Sequence, residues 1–298
     1  MINCTLVNNE TGEVMNENYK ITELEDQQRG RAFAEKKQLE EQFKSLQQEY
    51  LGYFVFFIFE NLNKLTEIMT DFDLMRFLYL GTYTKKDGCL KFENGNIITK
   101  KHVKKLLKIN DTSFRAFWKL MIENKLIVEG EEDKVSINLE YFYRGSEKEY
   151  RKLTDKKFGD KFTRVYIETT RDLYENTNQR SLKKLAIIYK VLPLISWQYN
   201  VLCKNPKEID KTVIDPYTLS EMSDYLGYDK THITRFKKDL HSLTYKGKDI
   251  FIRIGKTPDI KNDYIIVNPA FYYRGNKTEQ LDYLATLFGL KHAPLPNK

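Results

Sequence analysis

The sequence predicts an α+β, mainly α fold in which one unit, a helix-turn-helix followed by a β-hairpin, occurs twice in tandem behind an N-terminal β-hairpin and a long helix. Two observations lead there. Helix and strand periodicities follow one another in the same order in two stretches of the chain. Both stretches then close on the same string, Tyr143-Arg144-Gly145 and Tyr273-Arg274-Gly275.

Taken from the start, Cys4–Val7 and Glu13–Met15 flank the Asn/Gly-rich Asn8–Gly12 and read as a hairpin. Residues 24–50 read as a helix, with Leu39, Phe43, Leu46 and Tyr50 on one face. Two heptads suit either a short coiled-coil seam or packing within the protein. Tyr53–Phe59, aromatic and β-branched, reads as a buried strand, and Asp71–Thr82 as an apolar helix carrying Leu74, Phe77, Leu78 and Leu80. Thr99 can cap a helix running to Leu107, and Asp111 or Thr112 the next one, whose Phe114, Phe117 and Met121 form an i, i+3, i+7 stripe. Leu126–Val128 and Val135–Asn138 are strands around the polar turn Glu129–Asp133. The order then returns. Thr218 or Ser220 caps a helix to Leu226, Gly227-Tyr228-Asp229 turns, and Thr231 opens a helix with Ile233, Phe236 and Leu240. Ile250–Ile254 and Tyr264–Asn268 flank a longer tip, Gly255–Asp263, with Pro258.

The two stretches align at shifts that grow only in loops, as expected of one fold present twice. Phe54–Asn61 resembles Thr163–Thr170 at a shift of 109, and Leu90 falls on Leu202 at 112. Leu107, Thr112, Phe114, Phe117 and Met121 fall on Leu226, Thr231, Ile233, Phe236 and Leu240 at 119, and Asn138 falls on Asn268 at 130. The expected divisions are a hairpin and amphipathic helix over 1–52, a first unit over 53–145, a basic linker over 146–161, a second unit over 162–275, and a helix and tail over 276–298. The aromatics of the closing string suit a core beneath the hairpin, with Gly145 and Gly275 in a backbone conformation other residues resist. Arg144 and Arg274 suit either that core or phosphate contact.

Charge is unevenly spread. Residues 1–72 carry a net −6 and the remainder a net +13, so the positive charge lies with the repeated units. A basic body suits a polyanion, because neutralising phosphates releases counterions. Cys4, Cys89 and Cys203 are isolated, which implies neither a disulfide framework nor a zinc site and suits the cytoplasm. The most apolar run, Tyr50–Phe59, is half the length a membrane span needs, and Met1–Val14 lacks the apolar core of a signal peptide. His102, His232, His241 and His292 have no metal-ligand spacing, and neither a phosphate-binding glycine loop nor a nucleophile elbow is present. The expectation is a non-enzyme without metal or cofactor.

In a helix-turn-helix the second helix enters the major groove, so its exposed face must carry groups that reach bases and phosphates. In the first unit that face holds Thr112, Ser113, Arg115 and Lys119. In the second it holds Thr231, His232, Thr234, Arg235 and Lys238. Lys100, Lys101, Lys104 and Lys105 on the preceding helix would grip the backbone, where the second unit has Glu221 and Asp224. Lysines on helix exteriors are equally compatible with plain solvation. Within the linker, Lys148, Arg151, Lys152, Lys156, Lys157 and Lys161 suit either a solvated connector or contact with DNA between the two heads.

From Tyr53 through Gly145, and again up to Val267-Asn268-Pro269-Ala270-Phe271-Tyr272-Tyr273-Arg274-Gly275, the chain resembles winged-helix DNA-binding proteins of phages and plasmids of low-GC Gram-positive bacteria. Replication initiators of this kind often end the domain with Asn-Pro, aromatics and a glycine. The second copy matches at Asn268, Pro269 and Gly275, while the first has Leu139 in place of the proline. The resemblance implies two tandem winged helices, double-stranded DNA as the partner and a role in replication initiation. A winged-helix transcription regulator and a protein-binding adaptor are the alternatives. Residues 1–50 are expected to serve homodimerisation or recruitment of a host protein, away from any membrane.

Overall fold

The computed structural model describes residues 2–21, 24–156, 161–255, 264–275 and 277–290. The fold is α+β, about half helical, with small antiparallel sheets. The chain divides into two compact units, residues 1–46 and 47–298.

In the first unit β1 (Ile2–Val7) pairs antiparallel with β2 (Val14–Ile21). The turn between them is held by the Asn8 side chain, whose Oδ1 accepts from the Glu10 amide at 2.9 Å. Helix α1 (Leu24–Leu51) follows, with its residues beyond Leu46 counted in the second unit. Leu39, the first residue of the apolar stripe, is 65% exposed.

The second unit begins its sheet with β3 (Phe54–Ile58), followed by α2 (Leu62–Ile68), α3 (Asp71–Gly81), α4 (Lys100–Leu107) and α5 (Asp111–Glu123). The hairpin β4 (Ile127–Glu129) and β5 (Val135–Ile137) comes next, then β6 (Phe142–Tyr143). Residues expected to form a linker fold instead into α6 (Glu147–Thr154). Ser146 and Glu149 make a capping box there, and Tyr150 is buried against the Tyr143 ring, 5.1 Å between centroids. Lys156 and Lys161 are ion-paired with Glu140 and Glu60, while Lys148, Arg151 and Lys152 stay exposed. Lys157 lies outside the described residues. The chain continues with β7 (Phe162–Tyr166), α7 (Ile167–Asn176), α8 (Leu182–Lys190), α9 (Leu219–Tyr225) and α10 (Ile233–His241). Short strands β8 (Thr244–Tyr245) and β9 (Lys248–Asp249) precede the hairpin of β10 (Phe251–Ile254) and β11 (Tyr264–Val267), and α11 (Thr278–Leu287) ends the described chain. The expected tip over 255–263, with Pro258, lies outside the described residues from 256 onward.

The same bonds recur along the two halves of this unit. The Leu90 amide donates to Val135 O and that of Leu202 to Ile265 O, 2.8 and 2.9 Å. Thr99 with His102, and Thr218 with Glu221, form capping boxes at the starts of α4 and α9. The next helix is capped not by Asp111 or Thr112 but by Asn110. Its counterpart Asp229 caps the single turn Lys230–His232 that leads into α10, so Thr231 lies before the helix rather than opening it. Asn138 and Asn268 tie each hairpin to the strand behind it. The Nδ2 of each donates to Lys125 O or Asp249 O, 3.1 Å in both, and the Oδ1 accepts from Glu140 N or Ala270 N, 2.9 Å in both. Neither Gly145 nor Gly275 has a positive φ. Glycine is needed there because the preceding tyrosine folds back: a Cβ at either position would collide with the Tyr143 or Tyr273 hydroxyl. The expected conformational reason is thereby replaced by a steric one.

β3 and β7 pair antiparallel with Phe54 opposite Tyr166, Phe56 opposite Arg164 and Ile58 opposite Phe162. Both strands show the same alternation of buried and half-buried residues. They align at a shift of 108, one less than the sequence comparison indicated. The Met69 amide donates to Leu65 O and the Thr177 amide to Leu173 O, which extends the shift of 108 through α2 and α7. At that shift Phe56 faces its own counterpart, so a local twofold axis passes between Phe56 and Arg164. Beyond the three-residue turn Gln179–Ser181 the shift becomes 111. The Tyr83 amide donates to Leu80 O, and the Leu194 amide to Val191 O. α3 packs on α8 beneath the sheet, and one continuous apolar core runs through both halves.

Candidate nucleic-acid interface

In the first half α4 buries Val103 and Leu107, and α5 buries Phe114, Phe117, Trp118 and Met121. The helical repeat then turns Thr112, Arg115 and Lys119 to solvent, with Ser113 half-buried beside the Asn110 cap. Not all the expected cations are free. Lys100 lies 3.0 Å from Glu129 and over the Trp118 ring at 4.9 Å, and Trp118 Nε1 donates to the same carboxylate. Lys104 pairs with Asp111 and holds that carboxyl below its usual range, first through the hydrogen bond and then through charge. Lys119 sits 3.7 Å from Glu123. Lys101, Lys105 and Arg115 are exposed. The hairpin tip beside them is acidic, with Glu131 and Asp133 exposed.

In the second half α10 buries Phe236, Asp239 and Leu240. Thr234 and Lys238 face solvent. Thr231 is exposed but its hydroxyl donates to the Asp229 carboxylate at 2.6 Å. His232 and Arg235 differ from the other expected contacts. Although exposed, they line a cleft of about 410 Å³ whose opposite wall is α8, with Lys183, Lys184 and Lys190. Asp239 anchors that wall. It accepts from Lys184 at 2.7 Å and from the Tyr228 hydroxyl at 3.2 Å, with Arg235 3.9 Å away. Burial first and this carboxylate second push the Tyr228 phenol up to about 12.

The two arginines therefore do not occupy equivalent places. At the shift of 119, Arg115 corresponds to Thr234 and Arg235 to Ala116, so they stand about 100° apart around their helices. The Lys104–Asp111 pair ties α4 to the start of α5, where the charge of Arg115 also helps hold the Asp111 carboxyl down, while His232 and Arg235 line the cleft with α8. Sequence reasoning missed Lys183 and Lys190, which come to this cleft from a helix distant in sequence. Comparing the halves position by position at 111 marks Lys190, because it replaces the buried Tyr79.

The arginines of the closing strings face inward. Arg144 is half-buried, 3.9 Å from Glu93, which Arg171 also reaches at 3.0 Å. Arg274 lies over the Trp197 ring at 3.7 Å and near Phe162 at 4.9 Å. Among the described residues, no group of three or more His, Cys, Asp or Glu side chains could hold a metal ion, and no helix is long and apolar enough to cross a membrane. Compared with known proteins, the chain matches no family model, no curated sequence and no solved structure.

Proposed function

We propose that the chain is a sequence-specific double-stranded DNA-binding protein with two winged helices in tandem, acting in the replication of a phage or plasmid. The observation that carries this reading is the repeated order of helix, turn, helix and hairpin, with side-chain caps at matching positions in both copies and cations on the exposed face of α5. α5 is the main reading helix, with Arg115 directed at a base edge and Lys101 and Lys105 at phosphates. The acidic first hairpin stays off the backbone, since its carboxylates would repel phosphate. Because a local twofold relates the halves, the two heads point in opposite senses, and the half-sites they would meet are inverted and unlike.

Selection of bound sequences from random duplexes, followed by mobility shifts at rising salt, tests this. The expected result is a two-part site with affinity falling steeply with salt. Lys101→Ala and Lys105→Ala would each flatten the logarithmic salt slope by about 1. Arg115→Ala would relax preference at one base pair by about 1–3 kcal/mol. Binding that is absent, or indifferent to salt, would sink the reading. A bound site overlapping a promoter rather than an origin would move the role to transcription.

A further inference from the structure

One joint in this molecule is built twice and closed once. On its closed side the Tyr174 ring stacks on Tyr79, centroids 4.1 Å apart and planes 11° from parallel. The Tyr174 hydroxyl donates to the Leu107 carbonyl at 3.0 Å, finishing the end of α4. The local twofold carries Tyr174 onto Thr66 at 108, Tyr79 onto Lys190 at 111 and Leu107 onto Leu226 at 119. No ring fills the joint there. Leu62, Asn63, Thr66, Lys190, Tyr225 and Leu226 instead border a cavity of about 290 Å³. Lys190, Leu226 and Gly227 also border the 410 Å³ cleft, so the two spaces are neighbours on shared walls.

The combined space has two chemically distinct ends. One is the place that an aromatic ring occupies on the other side. Leu62 and Leu226 offer it apolar walls, the Lys190 ammonium can lie over a ring face, and Asn63 is exposed with an amide able to pair with a ring edge. The other end gathers Lys183, Lys184, Lys190, His232 and Arg235. Three carboxylates stand against them: Asp71 pairs with Lys190, Asp239 pairs with Lys184 and lies 3.9 Å from Arg235, and Asp229 accepts from Thr231, so the charge left to meet a ligand is mainly that of Lys183, with His232 and the more loosely paired Arg235 beside it. The cationic end therefore favours an anion, and the ring-sized end a flat heterocycle. We propose that this open joint binds a nucleoside monophosphate, with the base in the gap beside Lys190 and Asn63 and the phosphate held by Lys183, His232 and Arg235.

Calorimetric titration and thermal unfolding of the full chain, without DNA, test the proposal. The probes are AMP, GMP, CMP and UMP, with adenosine, inorganic phosphate and phenyl phosphate as controls. At least one nucleotide is expected to bind and to raise the unfolding midpoint with concentration. Adenosine and inorganic phosphate should each bind at least tenfold more weakly. Lys183→Ala should weaken the nucleotide at least tenfold. Thr66→Tyr should abolish its binding while leaving the chain folded, because the added ring fills the gap as Tyr174 does on the other side. The proposal is overturned if none of the four nucleotides binds, if Lys183→Ala and Thr66→Tyr leave binding unchanged, or if phenyl phosphate binds as tightly as the nucleotide. With no DNA in the cell, failure here is distinct from failure of the DNA-binding reading.

Discussion

The joint around Tyr174 and the joint around Thr66 share backbone geometry and differ in what fills them. On the first, two rings stack and a hydroxyl completes the end of α4. On the second, Lys190 has turned to Asp71 and the Tyr225 hydroxyl reaches the Lys190 carbonyl at 3.5 Å, leaving space between α2 and α9. The two joints separate duties that a single copy would have to combine. The aromatic joint binds the halves of the core together, and the polar one is released from that task. Chain duplication makes such division possible, since one copy of a packing solution suffices to hold the fold.

The largest effect should come from breaking the closed joint. Tyr174→Ala removes the stacked ring and is expected to cost about 3–5 kcal/mol in urea unfolding. Tyr174→Phe keeps the ring but leaves the Leu107 carbonyl without its donor, for about 1 kcal/mol. If Tyr174→Ala costs no more than Tyr174→Phe, the stack does not hold the halves together. Next come Gly145→Ala and Gly275→Ala. Both press a methyl group on a tyrosine that folds back, and each should cost about 1–3 kcal/mol. A large difference between them would show that the two closing strings are not built alike.

Closing the open joint should act in the other direction. Thr66→Tyr is expected to stabilise the chain by about 0.5–2 kcal/mol by filling the cavity and capping the end of α9. Destabilisation would mean that a ring at position 66 does not take the place that Tyr174 takes on the other side. The smallest effect concerns the capping boxes. Glu221 is held down to about 2 by hydrogen bonds from the Lys204 ammonium, the Thr218 amide and the Thr218 hydroxyl. Because its folded value is lowered, its contribution is complete above the ordinary carboxylate range and fades as pH falls through about 2. Glu221→Gln should therefore flatten the fall of the urea midpoint between those limits, whereas His102→Ala at the matching box should not.

Much of the local architecture was legible because it depends on near neighbours. The stripe Phe114, Phe117, Met121 and the caps Thr99 and Thr218 lie within a turn or two of the helices they define. Choosing Asn110 over Asp111 or Thr112 was harder, since adjacent residues offer the same oxygen and only the backbone decides between them. The pairing of Phe54–Ile58 with Phe162–Tyr166 was out of reach. Two strands give no signal of their partner across such a separation, and side by side their sequences can be slid by one residue with little loss of likeness, although in the sheet that slip would turn every side chain to the other face. The cleft beside His232 and Arg235 was out of reach for a related reason: their exposure on α10 follows from periodicity, but the arrival of α8 beside them does not. Charge alone makes the segment after Gly145 a linker, while its structure follows from Ser146, Glu149 and a single buried tyrosine.

The axis between Phe56 and Arg164 also bears on how the chain could be taken apart. A strand that pairs with its own counterpart is the joint of a homodimer written into one polypeptide. Separate halves would find each other at a rate set by their concentration. Joined through residues 146–161, they meet at an effective concentration on the order of millimolar, whatever the dilution of the protein. A chain cut by a protease within that segment would keep its halves only by their mutual affinity, and dilution would then begin to separate them.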